Sequence, residues 1–143
     1  MQGVNENKLL EYINSQARNK VVFFNKQLLG IEPIDLGIQI AQRIYNYRND
    51  SKLALKVTSE IEEVINNSEI NHSVYGKVKA LSNLGILMEP DLKQDLTRVL
   101  EKHSIGNTLF IKWDGEIDEE NIYFLTKEKG IKINIKNLSH IVI

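Results

Sequence analysis

Val21-Val22-Phe23-Phe24 runs directly into Asn25-Lys26-Gln27-Leu28-Leu29-Gly30-Ile31-Glu32-Pro33-Ile34, and a helical pattern follows from about Asp35 to Tyr47. A short apolar strand, a loop and a helix, in that order, form the opening of a P-loop fold. The loop lacks the G-x-x-x-x-G-K-[S/T] sequence that does the work in such folds. There, glycines let backbone N–H groups wrap phosphates, a lysine reaches the β- and γ-oxygens, and a hydroxyl binds Mg²⁺. Here the loop offers one glycine, Gly30, and one lysine, Lys26, with the lysine first. Leu36-Gly37-Ile38 stands where Gly-Lys-Thr is expected. Asp35 is placed to cap the helix, whose predicted inner face is Ile38, Ala41, Ile44 and Tyr45.

Working outward, residues 6–18 have a helical pattern with Leu9, Leu10, Ile13 and Ala17 on one face. Residues 53–57 are predicted as a second strand, followed by a Ser59-x-x-Glu62 capping box and a helix ending near Asn66-Asn67. Residues 68–77 are expected to be irregular, and Val78 to Leu81 to form a third strand. A helix is predicted from about Pro90, with Leu92, Leu96, Val99 and Leu100 inward and Gly106 beyond its end. Residues 108–113 are a fourth strand. Beyond Trp113, residues 121–125, 131–135 and 139–143 are predicted as strands without helices between them, with turns at Lys129-Gly130 and Lys136-Asn137.

This order predicts one α/β domain over residues 1–143. It is a three-layer sandwich of P-loop NTPase type, with a mostly parallel sheet and antiparallel C-terminal edge strands. Such a scaffold needs its first strand inside the parallel sheet. Ligands in it sit beyond the carboxyl ends of the strands, here residues 25–30, 82–83 and 113–114.

The second half of a nucleotide site is also missing. Val78-Lys79-Ala80-Leu81 is followed by Ser82-Asn83, where a Walker-B aspartate would sit, and serine carries no charge to anchor Mg²⁺. The only Gly-Lys pair, Gly76-Lys77, precedes a strand instead of following one, and Val78 supplies no hydroxyl. Efficient ATP turnover is therefore not expected, and no cofactor is assigned, ATP and Mg²⁺ included. The competing enzyme reading is a weak NTPase with an unorthodox loop, in which Lys26, Gly30 and Asp35 matter most, since a helix N-terminus still attracts anions.

The segment from Lys79 onward carries a family likeness. It reads Leu81-Ser82-Asn83-Leu84-Gly85-Ile86-Leu87, then Glu89-Pro90-Asp91-Leu92-Lys93-Gln94-Asp95, then Thr97-Arg98-Val99-Leu100-Glu101, and finally Thr108-Leu109-Phe110-Ile111-Lys112-Trp113-Asp114-Gly115-Glu116. This resembles the small P-loop subunit of BREX-type phage-defence systems (BrxF), over about residues 79–143. Over residues 1–78 the match is one of element order. The family's aspartate in Leu-Asp-Asn falls on Ser82, and its phosphate loop falls on residues 25–37 without the motif. Its Ser-Arg pair has no equivalent, His103-Ser104 standing nearby. The resemblance implies the fold, a defence setting, and protein partners in a defence complex, an active ATPase among them. It does not carry over an ATPase site.

The remaining constellations have plain explanations. Asp114, Glu116, Asp118, Glu119 and Glu120 crowd the turn after Trp113; consecutive carboxylates outside a strand fit a solvated hairpin or a face for a basic partner better than a metal site. His72, His103 and His140 lie far apart in sequence, and His103 suits a helix C-terminus. Pro90-Asp91 opens a helix and lacks the Glu-x-Lys strand of a nuclease. Trp113, the sole tryptophan, is expected in the core. Lys127, Lys129, Lys132 and Lys136, with Tyr123 and Phe124, form the alternative of a nucleic-acid-binding face.

The 143 residues carry 18 Lys plus Arg against 19 Asp plus Glu, so no global basic excess points to nucleic acid. There is no cysteine, which excludes disulfides and thiolate metal sites and fits a reducing cytoplasm. No signal pattern opens the chain, and no apolar run approaches the roughly 20 residues needed to cross a bilayer. The function expected from these residues is a non-catalytic accessory or scaffold protein, itself open to homo-oligomerisation. Asp114, Glu116, Asp118, Glu119, Glu120 and the exposed part of loop 25–34 are its candidate interface.

Overall fold

The computed structural model describes residues 2–124 and 130–143. In chain order these form helix α1 (Gln2–Ile13), strand β1 (Lys20–Phe24), strand β2 (Ile34–Asp35) and helix α2 (Leu36–Ile44). Then come helix α3 (Leu53–Asn67), strands β3 (Ile70–His72) and β4 (Gly76–Ser82), and helix α4 (Leu96–His103). Strands β5 (Thr108–Lys112), β6 (Asn121–Phe124), β7 (Ile131–Asn134) and β8 (Ile141–Val142) complete the chain.

The central sheet has the order β2-β4-β5-β1-β8, and every pairing along that path is parallel. β3 adds the one antiparallel pairing, His72 to Gly76 through Ile70 to Val78. β1 thus lies inside the sheet, flanked by β5 and β8, as expected of the first strand. Side-chain alternation sends Val21 and Phe23 to one face and Val22 and Phe24 to the other, and all four are buried. A parallel strand covered on both faces needs this continuous apolar run.

The first face, with Leu81, Leu109 and Ile111, packs against Leu36 and Ile40 of α2, Val57, Ile61, Val64 and Ile65 of α3, and Leu96 and Leu100 of α4. The second face, with Val78, Ala80 and Phe110, packs against Leu9, Tyr12 and Ile13 of α1. Full burial of a side chain such as Phe23 or Phe110 stabilises by roughly 1.5–3 kcal/mol.

Several expectations are corrected. Residues 53–57 are not a strand but the first turns of α3, because Val57, Ile61, Val64 and Ile65 keep one helical spacing through the segment. Ser59 therefore lies inside the helix and caps nothing. α2 buries Leu36, Gly37 and Ile40, whereas Ile38 is 54% exposed and Tyr45 61%. Its apolar residues fit two helical phases, and the chain uses the other one. Residues 70–72, expected to be irregular, form β3. The helix placed at Pro90 starts later. Pro90–Leu92 makes a single 3-10 turn, Lys93 turns left-handed at φ 52°, and Asp95 caps α4 by accepting from the Arg98 N–H at 3.3 Å.

The C-terminal strands do not extend the sheet as antiparallel edges. β6 and β7 form a separate antiparallel pair, with Ile122 also bridging Ile117, and β8 joins β1 in parallel. Leu125, Lys127 and Lys129, used above for the end of a strand, a basic face and a turn, lie outside the described residues.

Candidate functional site: the crevice at the carboxyl ends of β4 and β5

An open cleft of about 300 Å³ lies beyond the carboxyl ends of β4 and β5, the place where open parallel sheets bind ligands. Asn83, Leu84, Lys112, Trp113, Asp114 and Phe124 line it. Trp113 forms its floor. Its backbone N–H donates to Phe24 O at 2.8 Å, its indole Nε1–H donates to Tyr123 O at 3.2 Å, and the side chain is 5% exposed. Core packing, as expected, is thus combined with lining the cleft. Gly115 is what lets the β6 strand come this close: a Cβ there would lie 2.1 Å from Tyr123 O.

At one wall, the N-terminus of α2 meets the loop after β4. Asp35 Oδ1 accepts the backbone N–H of Ile38 at 2.9 Å, the cap expected from sequence. The same oxygen accepts the side-chain amide of Asn83 at 2.8 Å. Asn83 holds a left-handed backbone at φ 56°, which asparagine tolerates better than most residues. Gly37 makes room for it, since a Cβ at 37 would sit 2.5 Å from Asn83 Nδ2. The Ser82 hydroxyl donates across to Ile34 O at 3.4 Å.

Asp35, Gly37 and Ser82 therefore come together, but Lys26 and Gly30 do not join them. Loop 25–33 leaves the crevice and lays Leu28 and Ile31 on the α1 face of the sheet. Gly30, at φ 75°, abuts the imidazole of His72, which pairs with Gly76 at the amino end of β4. His72 Nδ1 accepts the N–H groups of Val74 (3.0 Å) and Tyr75 (3.2 Å), so its proton sits on Nε2 and is donated to Leu29 O at 3.1 Å. Leu29 itself is 95% exposed. Lys26 is half-buried and has no ion-pair partner among the described residues.

The acidic turn divides in the same way. Asp118 points inward: Oδ1 accepts from the Glu120 and Asn121 N–H groups at 3.0 and 2.8 Å, and Oδ2 accepts the Tyr123 hydroxyl at 2.6 Å. That bond to Asp118, aided by burial, raises the Tyr123 pKa. Glu120 reaches Lys136 at 3.8 Å. Asp114, Glu116 and Glu119 are exposed, and of the three Asp114 lines the cleft. Among the described residues no three metal-ligating side chains come together, and no helix is long and apolar enough to cross a membrane.

Below the crevice the helix-side core holds two buried ionisable groups: Lys79, which sequence reasoning did not single out, and His103, which it placed at a helix end as a cation. Lys79 Nζ donates to Asn66 Oδ1 at 3.2 Å, and burial lowers its pKa against the opposing pull of Glu69. His103 is pushed down to about 4, first by burial and then by the positive charges of Lys79 and Lys102. His103 is thus a neutral core residue and not a helix-end cation. Asn83 falls at a strand end expected to face ligands, but its bond to Asp35 was not foreseen; an asparagine directly after a buried strand is the available signal for a left-handed turn. No family model, no curated protein and no solved structure matches the chain.

Proposed function

We propose that the chain is a non-catalytic scaffold subunit, working by protein contacts on a nucleotide-type framework of P-loop kind that has lost its triphosphate grip. The observation that carries this is the Asp35 carboxylate. It occupies the N-terminus of α2, where a phosphate would have to lie, and satisfies the Ile38 N–H and the Asn83 amide itself. A fixed negative charge there repels an incoming anion.

Two further features support the reading. β1 is the inner strand of a parallel sheet, as a nucleotide framework requires. Yet only residues 25–33 connect it to β2, and no helix lies between them. β1 is thus not followed directly by the helix that a phosphate loop opens, and Lys26 and Gly30 are held away from Ser82.

The resemblance to the small subunit of BREX-type systems supplies the setting: a phage-defence complex whose protein partners include an active ATPase, in the cytoplasm. Asp114 in the cleft lining, the exposed Glu116 and Glu119, and Leu29 are the surfaces offered. The test is titration with mant-ATP, with and without Mg²⁺, together with co-purification of the proteins encoded beside this chain. The expected result is no Mg²⁺-dependent nucleotide binding and a complex that Asp114→Lys with Glu119→Lys weakens. Tight Mg²⁺-dependent binding abolished by Lys26→Ala overturns the proposal.

A further inference from the structure

The opposite end of the sheet carries a second cleft, of about 370 Å³, at the amino ends of β1, β4 and β5. Its charged lining is entirely cationic: Arg18, Lys20 and Lys77, beside Ser104, Asn107 and Thr108. Register fixes the spacing. Lys20 pairs with Thr108, Thr108 pairs with Val78, and Lys77 precedes Val78, so two strand intervals of roughly 4.8 Å separate the lysine backbones. Lys20 gives one of its three donors to Ile13 O, the exposed end of α1. Arg18 and Lys77 are exposed, and among the described residues neither has a carboxylate within ion-pair distance.

Arg18 also lines a neighbouring cleft of about 230 Å³ with Asn19, Arg98, Glu101 and Lys102. The two clefts share Arg18 and together carry five cations and one lining carboxylate, Glu101, with Lys102 also ion-paired to Glu62 of α3. In a chain of net charge −1 that concentration is local, and it lies at the other end of the sheet from Asp35 and Asp114. Concave surfaces lined by one sign of charge focus the field and collect counter-ions. A guanidinium and ammonium groups with free N–H donors match phosphate oxygens in charge and geometry.

We propose that this amino-end band is a phosphate-binding site, taking the oxyanions of a nucleic-acid strand or of a free nucleotide. Its continuity across two clefts favours an extended ligand. The site is independent of the non-catalytic reading above, and uses neither Mg²⁺ nor any residue of the carboxyl-end crevice.

The experiment is fluorescence anisotropy of the full chain with a labelled single-stranded oligonucleotide over a series of salt concentrations, and a parallel titration with mant-ATP without Mg²⁺. Arg18→Ala with Lys77→Ala is compared with Lys132→Ala on β7, circular dichroism verifying the fold of each. The expected result is oligonucleotide binding whose log–log salt slope falls by about 1.4 in the double variant, the loss of two contacts to a single strand, and is unchanged in Lys132→Ala. Mant-ATP binding alone, lost in the same double variant, also supports the site and identifies the free nucleotide as its ligand. No binding of either probe at low salt overturns it, as does binding indifferent to Arg18 and Lys77 or lost in Lys132→Ala.

Discussion

Asp35 Oδ1 is shared between the Asn83 amide, at 2.8 Å, and the Ile38 backbone N–H, at 2.9 Å, so one carboxylate oxygen ties the start of α2 to the turn after β4. Removing it deletes a helix cap, worth about 1 kcal/mol, and frees the exposed Asn83 amide to water, a loss of about 0.5 kcal/mol more. Asp35→Ala is expected to lower the urea-unfolding free energy by about 1.5 kcal/mol, on the same magnitudes. Asp35→Asn keeps an acceptor oxygen and should lose less. Equal losses for the two variants would mean that the charge, and not the acceptor, holds the turn.

Gly37→Ala ought to stabilise a helix by about 1 kcal/mol on propensity alone. Here the added methyl would meet Asn83 Nδ2 at 2.5 Å and the Asn83 carbonyl oxygen at 3.0 Å. The side-chain amide can swing away, but only by leaving Asp35, and the carbonyl is fixed by the left-handed turn. The expected outcome is a lower denaturation midpoint for Gly37→Ala, partly restored by adding Asn83→Gly. A midpoint raised by Gly37→Ala alone would show that the contact is not felt.

His103 gives the fold a dependence on acid. Its native pKa, about 4, lies below its usual 6.5. Above 6.5 both native and unfolded chains hold it neutral, and its contribution is complete. As pH falls from 6.5 toward 4 the unfolded chain takes up a proton that the native state refuses, and stability drains away. By pH 4.5 the loss amounts to about 2–3 kcal/mol. Urea unfolding at pH 7 and pH 4.5 should show this extra drop in the wild type and not in His103→Leu. Lys79→Met, which removes one of the two positive neighbours, should narrow the window without abolishing it, since burial is the larger cause.

Trp113 reports on the docking of the β6–β7 hairpin. The indole is buried, and its N–H is bound to Tyr123 O at 3.2 Å. A methyl at position 115 would press on that same carbonyl from 2.1 Å, against backbone instead of a movable side chain. Gly115→Ala is expected to red-shift tryptophan emission and to destabilise by more than 2 kcal/mol, the cost of a shifted backbone plus an unpartnered indole N–H. Unchanged emission would mean that the hairpin is not seated by this contact.

The buried strands were legible because they are apolar runs, broken only by Lys79 and Thr108: Val21 to Phe24, Val78 to Leu81 and Thr108 to Ile111 needed no tertiary context. So was the Asp35 cap, which lies beside the residues it serves. What failed depended on choosing between local patterns of similar merit. Leu53-Ala54-Leu55-Lys56-Val57 alternates like a strand, and only the continuation to Ile61, Val64 and Ile65 reveals a helix. α2 has apolar residues on two sides, and the sheet selects Leu36 and Ile40. The site was the least legible part: Asn83 reaches Asp35 from 48 positions away in sequence, and Gly30 is drawn to His72 by a fold that no local rule describes.

Residues 25–33 hold a further consequence, for how such chains diverge. Connecting parallel strands ordinarily takes a dozen residues or more, a helix among them. Here nine suffice, because β2 is only two residues long and its Ile34 lies level with Phe23, through Leu81 and Ile111, at the carboxyl end of the sheet. Side-chain exchange alone would therefore not create the helix that follows the first strand of a P-loop scaffold. An insertion between Phe24 and Ile34 would be needed first, and a relative possessing one would share the sheet while obeying different chemistry.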